Sequence, residues 1–465
     1  MSRALSAGAP RSGAGGIVKW GAFAVVVGLL LGTMAGDNPS LVIAFAVVGT
    51  FAVIVGLRPS AVLVPLGAAA FVENIQIGGA TISRFIAAMG LFVVLAELAR
   101  GKASILPRPP LYWITAYGIW ALASQLWTVS GHRTYIGLSS LAVSATFTLA
   151  LAALVRSRHD FNLALYGIAF GAATVGLVSM LLFVTSGGGR AVGFAGDPNF
   201  FAAYQAFAFP VLLALSAQAS RRWVRLLLLA GVISVIGATF VTLSRGGILS
   251  LLLIGVILLV LPTRSVFRSL GQKTLAAAVI TIGVALAITV SYSELSQRVN
   301  TLVTGEEAAG SGRLNEWKAA WQSAHDRPLL GLGFGAFPAV SNELVRSTPG
   351  TDLSKFDERP EGTFAHNAYL GSLAEIGVPG LVLFVGVMGS TALALRRAAA
   401  EAKRVGDLPL ARLANALLIS LAGWAFTSIF LSSETARPFW VTIGLALALP
   451  KLIPPRPRHP DVPAL

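Results

Sequence analysis

The sequence predicts an all-α fold, a polytopic bundle of membrane-spanning helices, and three observations lead to that class. Hydrophobic residues make up 55% of the 465 residues and charged residues only 12%, whereas about a quarter of the residues of soluble proteins are charged. The mean hydropathy is +0.75. Apolar runs near twenty residues long recur along the chain. Because lipid offers the backbone no hydrogen-bonding partner, such runs must be helices, and a soluble fold is excluded.

Fourteen apolar runs are candidate spans. The first run ends near Met34 and follows Arg3, Arg11 and Lys19, a pattern typical of a signal peptide. Since more runs follow at once, we expect an uncleaved first span. Two runs meet at Ser244 and the run 61–74 is short enough to be re-entrant, so twelve spans are also compatible. The runs fall near 20–34, 38–57, 61–74, 82–99, 110–128, 134–155, 161–184, 199–218, 224–243, 247–262, 274–291, 367–395, 411–432 and 438–453.

The net charge is +15 and the pI is near 10.8, but the basic residues are scattered between apolar runs. They therefore indicate membrane topology and not a nucleic-acid partner. About two-thirds of the 35 lysines and arginines fall in alternate connections, among them 100–108, 264–273 and 396–412. Cytoplasmic loops retain such residues, so we expect both termini in the cytoplasm and the loop 292–366 outside. With no cysteine, disulfides, thiolate metal sites and a Cys nucleophile are excluded.

The chain divides into three parts on this basis. Residues 1–184 form N-terminal transmembrane helices, residues 185–395 form a core that includes the external loop 292–366, and residues 396–465 form C-terminal helices and a cytoplasmic tail. Within the loop, the turn-rich stretch 328–335 superficially resembles a dinucleotide-binding loop. No βαβ unit can surround it, so we interpret it as a tight turn.

The loop also contains a predicted amphipathic helix at the membrane surface. Leu314, Trp317, Trp321 and Ala324 recur at helical spacing on one face, with charged residues on the other. Tryptophan favours the membrane interface, so Trp317 and Trp321 are interpreted as anchors; a platform for a sugar ring is the alternative.

Four polar groups share the external face in this topology, and the first is the glycine-rich stretch 186–199. Its backbone N–H groups can surround an oxyanion, and Arg190 can pair with that anion. Asp197 and Asn199 either contribute to the same site or cap the helix that follows.

Arg245 is the second group, in the sequence Thr242-Leu-Ser244-Arg245-Gly246-Gly247 inside an apolar stretch. An arginine near the bilayer centre costs at least ~2.5 kcal/mol and usually faces a cavity or a partner. If the two glycines break the helix, Arg245 lies at the outer mouth of the bundle; an arginine that snorkels from a helix end is the alternative.

Arg313 and His366 with Asn367 complete the four groups. Arg313 begins the amphipathic helix and is either a solvated arginine or a ligand contact. An imidazole titrates near pH ~6.5 and can accept a proton at neutral pH. The other histidines offer no metal partner, and we predict neither a metal site nor a cofactor. Arg190 and Arg245 could hold a diphosphate leaving group while His366 deprotonates an acceptor hydroxyl, without a divalent cation.

These motifs together resemble the O-antigen ligase and O-antigen polymerase superfamily, over about residues 185–395. The resemblance depends on Arg190-x-x-Gly193 with Asp197-Pro-Asn199, Ser244-Arg245-Gly-Gly, Gly312-Arg313 with Trp317, Pro328-Leu-Leu-Gly331-x-Gly333, and His366-Asn367-x-Tyr-Leu with Glu375-x-Gly377.

The resemblance implies a GT-C-like inverting transferase of the bacterial cytoplasmic membrane. Its donor would be a glycan on undecaprenyl diphosphate and its acceptor a sugar hydroxyl of a glycan or lipid, so that it acts as a ligase or as a polymerase in surface polysaccharide assembly. His366 would be the base, Arg190, Arg245 and Arg313 would bind the diphosphate, and Asp197, Asn199, Ser244, Asn367 and Glu375 would support them. A solute or inorganic-carbon transporter is the alternative function; it would show polar residues in the middle of several spans and a repeat between halves.

Overall fold

The computed structural model describes residues 58–77, 80–187, 189–290, 311–356 and 358–454, together with residues 292 and 296. The fold of these residues is helical apart from one antiparallel pair of two-residue strands, β1 (Gln76–Ile77) and β2 (Ala80–Thr81). The predicted all-α class is confirmed. The predicted spans near 20–34 and 38–57, and the last residues of the tail, lie outside the described residues.

The α-helices of the described residues are, in chain order, α1 (Leu63–Ala68), α2 (Ile82–Ala99), α3 (Pro109–Ala123), α4 (Gly131–Leu154), α5 (Arg158–Thr185), α6 (Pro198–Gln218), α7 (Arg222–Val241), α8 (Arg245–Val260), α9 (Leu270–Val290), α10 (Ser311–Asp326), α11 (Phe337–Ser347), α12 (Ala368–Arg404), α13 (Leu408–Thr427) and α14 (Arg437–Ala448). Short 3-10 turns lie at Pro59–Val62, Ala69–Phe71, Ser124–Leu126, Thr263–Ser265, Leu353–Lys355 and Leu449–Leu452.

Seven of these helices are long and apolar enough to cross a membrane, namely α2, α4, α5, α6, α7, α12 and α13. Shorter apolar helices cover Pro59–Phe71, α8 and Leu270–Ala285. All of them coincide with predicted runs. The protein is therefore a polytopic helical membrane bundle, as the sequence predicts.

Helix α6 lies at the centre of the bundle, since 94% of its most apolar stretch is buried inside the protein. It packs against α7, α8 and α13. A helix that is apolar on all sides can be enclosed in this way. Close approach to α8 needs Gly247, because a Cβ there would lie 2.3 Å from the Cβ of Ala202 on α6.

Helix α12 is long and kinked, and it runs past the predicted span end at 395. Its backbone departs from helical angles at Ile376 and Gly377, where Gly377 has φ +70 and a Cβ would lie 2.3 Å from the carbonyl oxygen of Leu329. Beyond 395 the sequence is rich in alanine, the best helix former, and Glu401 pairs with Arg404 at 3.4 Å. Much of the predicted loop 396–412 is therefore helix.

The loops predicted to be cytoplasmic meet at one end of the bundle. Arg156 pairs with Glu97 at 2.8 Å, and Lys451 donates to the carbonyl oxygen of Ala152 at 2.7 Å. Arg158 pairs with Asp407 at the same end. We call this the basic end, and the opposite end, which holds the connections 186–197, 242–244 and 327–367, the loop end.

Candidate functional site

The connection between α5 and α6 is fastened to the first turn of α6. Asp197 caps α6, because its Oδ1 accepts from the N–H groups of Asn199 at 2.7 Å and Phe200 at 3.0 Å. Gly193 and Gly196 both have positive φ, and a Cβ at Gly193 would enter the ring of Phe201. The capping interpretation is thus confirmed for Asp197. Asn199 has a different role, because its side chain does not cap the helix.

Asn199 joins Arg190 to the turn before α8. Its Oδ1 accepts from Arg190 Nη2 at 3.3 Å and from the Ser244 hydroxyl at 2.9 Å. The Nε of Arg190 also donates to the carbonyl oxygen of Thr242 at 3.0 Å. The guanidinium is therefore oriented by two segments that are distant in sequence, which is the local rigidity that a binding site requires.

The break between α7 and α8 places Arg245 at a helix N-terminus, but the glycines do not cause it. Leu243 has φ +54, and Ser244 caps α8 by accepting from the N–H of Gly247 at 3.3 Å. The two predicted runs do meet near Ser244, but Gly246 and Gly247 do not break the helix, because both lie inside the first turn of α8. Arg245 is the first residue of α8, where the helix dipole favours anions.

Helix α10 carries Arg313 over this end of the bundle. Asn315 fixes the helix to the loop, since its Nδ2 donates to the carbonyl oxygen of Asp352 at 2.7 Å and its Oδ1 accepts from the N–H of the same residue at 2.8 Å. Leu314 and Trp321 are exposed, and small residues such as Ala319 form the buried face. The predicted helix is confirmed; its role as a membrane anchor stays a prediction.

His366 lies two residues before the start of α12, in a left-handed conformation with φ +47. Asn367 caps α12, because its Oδ1 accepts from the N–H groups of Tyr369 and Leu370, both at 3.0 Å. The Nε2 of His366 is 3.9 Å from Oε2 of Glu316, and the two side chains are 26% and 9% exposed. A cap and a left-handed residue therefore direct the imidazole toward α10.

The environment keeps His366 neutral at pH 7. Burial lowers its pKa to about 4; the charge of Arg313 adds to this shift, Asp197 opposes it and Arg359 adds to it again. These charges act on the imidazole because they lie near it. The structure thus brings the predicted residues His366, Arg313 and Asp197 into one electrostatic environment.

Glu316 is the acidic member of this environment. Burial raises its pKa to about 7, against the effect of the nearby Thr363 side chain and the opposing charges of Arg313 and Arg359. Burial also lowers the pKa of Arg313; Glu316 and Asp197 oppose that shift, and Arg245 contributes to it. Arg245 therefore belongs to the same group of charges.

Three buried polar atoms at the site have no hydrogen-bonding partner among the described residues, namely Glu316 Oε2, His366 Nδ1 and Thr363 Oγ1. An unsatisfied buried group costs about 1–3 kcal/mol, more if it is charged. Such atoms are often retained for a function. Over the described ranges, no three His, Cys, Asp or Glu side chains cluster so that they could hold a metal ion; the expectation of metal-independent chemistry stays a prediction.

Glu375 lies on α12 below the other site residues and holds the predicted turn in place. Its Oε2 accepts from the N–H of Gly335 at 2.7 Å and its Oε1 from that of Phe337 at 3.3 Å. The N–H of Gly333 donates to its carbonyl oxygen at 2.7 Å. The tight turn over 328–335 is confirmed, with positive φ at its glycines, and Glu375 stabilises it.

Sequence reasoning missed Glu316 and Arg359. Glu316 follows Arg313 by three residues in a helix, so the spacing alone places both on one face. That signal was available, but the approach of Glu316 to His366 depends on tertiary packing. Arg359 lies in an irregular segment whose pattern gives no signal.

Residues 230–385 match the family model described as O-antigen ligase. The match covers about a third of the chain and includes Arg245, Arg313, Glu316 and His366, whereas Arg190 and Asn199 precede it. The resemblance to the O-antigen ligase superfamily is confirmed over this range. No curated protein matches the sequence.

Proposed function

We propose that this chain, which carries an O-antigen ligase domain at residues 230–385, is an inverting glycosyltransferase of the bacterial cytoplasmic membrane. It moves a glycan from undecaprenyl diphosphate to the hydroxyl of an acceptor sugar at the outer face, as a ligase or as a polymerase. The observation that carries the proposal is the meeting of His366 and Glu316 with the arginine group at the loop end.

Arg190, Arg245 and Arg313 would bind the diphosphate. A guanidinium donates two parallel hydrogen bonds to phosphate oxygens and keeps its charge at any physiological pH. The hydrogen bonds of Arg190 with Thr242 and Asn199 orient it before the donor binds. Arg245 adds the N-terminus of α8, whose N–H groups favour anions. Positive charge on three different segments would thus stabilise the leaving group.

His366 would act as the base. The neutral imidazole takes the proton of the acceptor hydroxyl while that oxygen bonds to the anomeric carbon. The bond from this carbon to the diphosphate oxygen breaks on the opposite side, and its electron pair leaves with the diphosphate. Attack from the opposite face inverts the anomeric configuration. Ionised Glu316, 3.9 Å away, would stabilise the imidazolium that forms.

A divalent cation is not required in this scheme, because the arginines neutralise the charge that develops on the diphosphate. The termini would lie in the cytoplasm, since the basic end holds the loops that are rich in lysine and arginine. The loop end would then face the outer side, where the lipid-linked donor and the acceptor are both present.

The test is product analysis with the full-length protein in lipid nanodiscs, supplied with a polyprenyl-diphosphate glycan and candidate acceptors. We expect a glycan conjugate, or a lengthened lipid-linked glycan, to form in the presence of EDTA. A lengthened lipid-linked glycan identifies a polymerase, and a conjugate without polyprenyl identifies a ligase. Loss of activity with EDTA and its return with magnesium would overturn the metal-independent scheme, and no product with any donor would overturn the function.

A further inference from the structure

A cavity at the loop end lies beside the segment that carries His366. Its volume is about 150 Å³, which corresponds to several water molecules at ~30 Å³ each. Five segments line it, namely α4 with Arg133, the stretch that contains Phe334, Gly335 and Pro338, the residues before His366 with Phe364 and Ala365, α12 with Gly371, and the connection before α14 with Glu434. The function proposed above assigns no role to this cavity.

Glu434 is the unexplained group in the cavity. The residue is only 9% exposed, and its carbonyl oxygen is fixed by a 2.8 Å hydrogen bond from Trp440 Nε1. Its carboxyl lies over α12, since a Cβ built on Gly371 would be 2.9 Å from Oε1. Among the described residues it has no ion-pair partner. Burial, and next the charge of Glu375, raise its pKa well above the ordinary value.

The other acid of the cavity is already satisfied. Both carboxyl oxygens of Glu375 accept backbone hydrogen bonds, from Gly335 and Phe337. Glu434 is therefore the acid that remains available to a ligand. A buried carboxyl without a side-chain donor is costly unless something else supplies the hydrogen bond.

The chemistry of the lining points to a neutral molecule with several hydroxyl groups. A buried carboxyl pairs well with vicinal hydroxyls, because it accepts from one and, when protonated, donates to the other. Phe364 lines the cavity and is 52% exposed, so its ring is available to the apolar side of a sugar. A cation fits less well, because one carboxyl is occupied by backbone N–H groups, Arg133 lines the same space, and calcium takes six or more oxygens.

We infer that this cavity binds a sugar ring of the acceptor, with Glu434 hydrogen-bonding to its hydroxyl groups and Gly371 leaving room for the ring. The inference rests on the glycosyltransferase function proposed above. Ala365 lines the cavity and is the residue before His366. A ring held there lies beside the segment that carries the base, and the orientation of two reactants is a large part of catalysis.

The test measures sugar binding without donor, so that it does not depend on transfer. Methyl glycosides of common hexoses and N-acetylhexosamines are titrated into the full-length protein in detergent micelles, with ligand-observed NMR as the measurement. We expect millimolar binding of at least one glycoside, at least tenfold weaker in Glu434→Leu and in Gly371→Ala, and unchanged in Arg404→Lys, which alters an exposed arginine at the end of α12. Gly371→Ala reports on the cavity from a different element if Glu434→Leu does not fold.

Each result decides the inference. No glycoside binding to the wild type, or equal binding to both cavity variants, overturns it. Binding of magnesium, manganese or calcium that Glu434→Gln abolishes also overturns it, in favour of a cation site. If the wild type transfers glycan but the cavity variants bind the sugar as tightly as the wild type, the proposed function is supported and the acceptor site is refuted. If sugar binding depends on Glu434 but no donor is consumed, the sugar site stands and the function fails.

Discussion

The Nε2 atom of His366 lies 3.9 Å from the Oε2 atom of Glu316, and both side chains are largely buried. This relationship predicts a pH dependence. Glu316, with a pKa of about 7, becomes an anion as the pH rises from about 6 to about 8, and the anion favours the imidazolium that forms during transfer. We expect the wild-type kcat to rise over this range. In Glu316→Gln the rise should be absent, and kcat at about pH 8 should be at least ~10-fold lower than in the wild type.

Initial rates between about pH 5.5 and pH 8.5 check this prediction. Glu343→Gln is the matched control, because Glu343 is an exposed acid of α11. A Glu316→Gln profile with the wild-type shape would contradict the coupling of the two side chains.

The same carboxyl predicts a stability effect of opposite sign. The folded protein raises the pKa of Glu316 from 4.5 to about 7, so between these values it binds a proton that the unfolded chain has released. Stability therefore falls as the pH rises through this window. Glu316→Gln removes the cost of burying the ionised carboxylate, so the free energy of unfolding at about pH 8 should rise by up to ~3 kcal/mol. Thermal melts should show a higher midpoint for the variant at pH 8 and little difference near pH 4.5; equal midpoints at both pH values would refute the assignment.

His366 should be replaced by asparagine to test the base. At φ +47 an alanine costs about 1–2 kcal/mol of backbone strain, whereas asparagine tolerates the left-handed conformation. We expect His366→Asn to express and melt like the wild type and to lose at least ~100-fold of transfer activity. His366→Ala should lose activity and some stability. Glycan transfer near the wild-type level in His366→Asn would exclude the imidazole as base.

The arginines are tested by substitution with lysine, which keeps the positive charge but lacks the planar guanidinium that donates two parallel hydrogen bonds. Arg245→Lys and Arg190→Lys should each lower kcat/KM for the donor by ~10–100-fold, which is the loss of one charge-assisted hydrogen bond. Arg404→Lys is the control, because its side chain is 70% exposed on the last turn of α12. A donor kcat/KM unchanged by Arg245→Lys would remove Arg245 from the diphosphate site.

The kink of α12 is tested with two glycines of the same helix. At Gly377 a Cβ would lie 2.3 Å from a backbone oxygen at φ +70, whereas at Gly389 no atom lies within 4 Å. Gly377→Ala should lower the free energy of unfolding by several kcal/mol, and the yield of folded protein should fall severely as a result. Gly389→Ala should be neutral or stabilising by up to ~1 kcal/mol. Size-exclusion profiles and melts of the two variants make the comparison; similar behaviour would mean that the kink is not required.

The helices could be predicted because each follows from an apolar run in its own sequence. The break between α7 and α8 was also predicted, near Ser244, but its cause could not be, because a non-glycine residue with φ +54 at position 243 depends on tertiary contacts. Arg190 donates a hydrogen bond to the carbonyl oxygen of Thr242, and the hydroxyl of Ser244 donates one to Asn199. The glycines that the local sequence offers as a break instead allow α8 to approach α6.

The candidate site, too, was predictable only in part. Its arginines and histidine are unusual in apolar surroundings and were identified one by one from the sequence. Glu316 was missed because an acid on an amphipathic helix is ordinary until the helix packs against His366. Glu434 was missed for a similar reason, since its burial depends on the packing of α12 under the connection before α14.

The segment 328–367 at the loop end is attached to α12 at two places, through main-chain atoms near its start and through a helix cap at its end. The N–H groups of Leu332 and Gly333 donate to the carbonyl oxygens of Ala374 and Glu375, and the N–H of Val378 donates to that of Pro328. At the other attachment, Asn367 caps the helix. Because backbone groups are common to all residue types, the stretch between these attachments can change in length and sequence without displacing the imidazole. In the proposed function, acceptor preference could then diversify during evolution while the position of His366 is inherited unchanged.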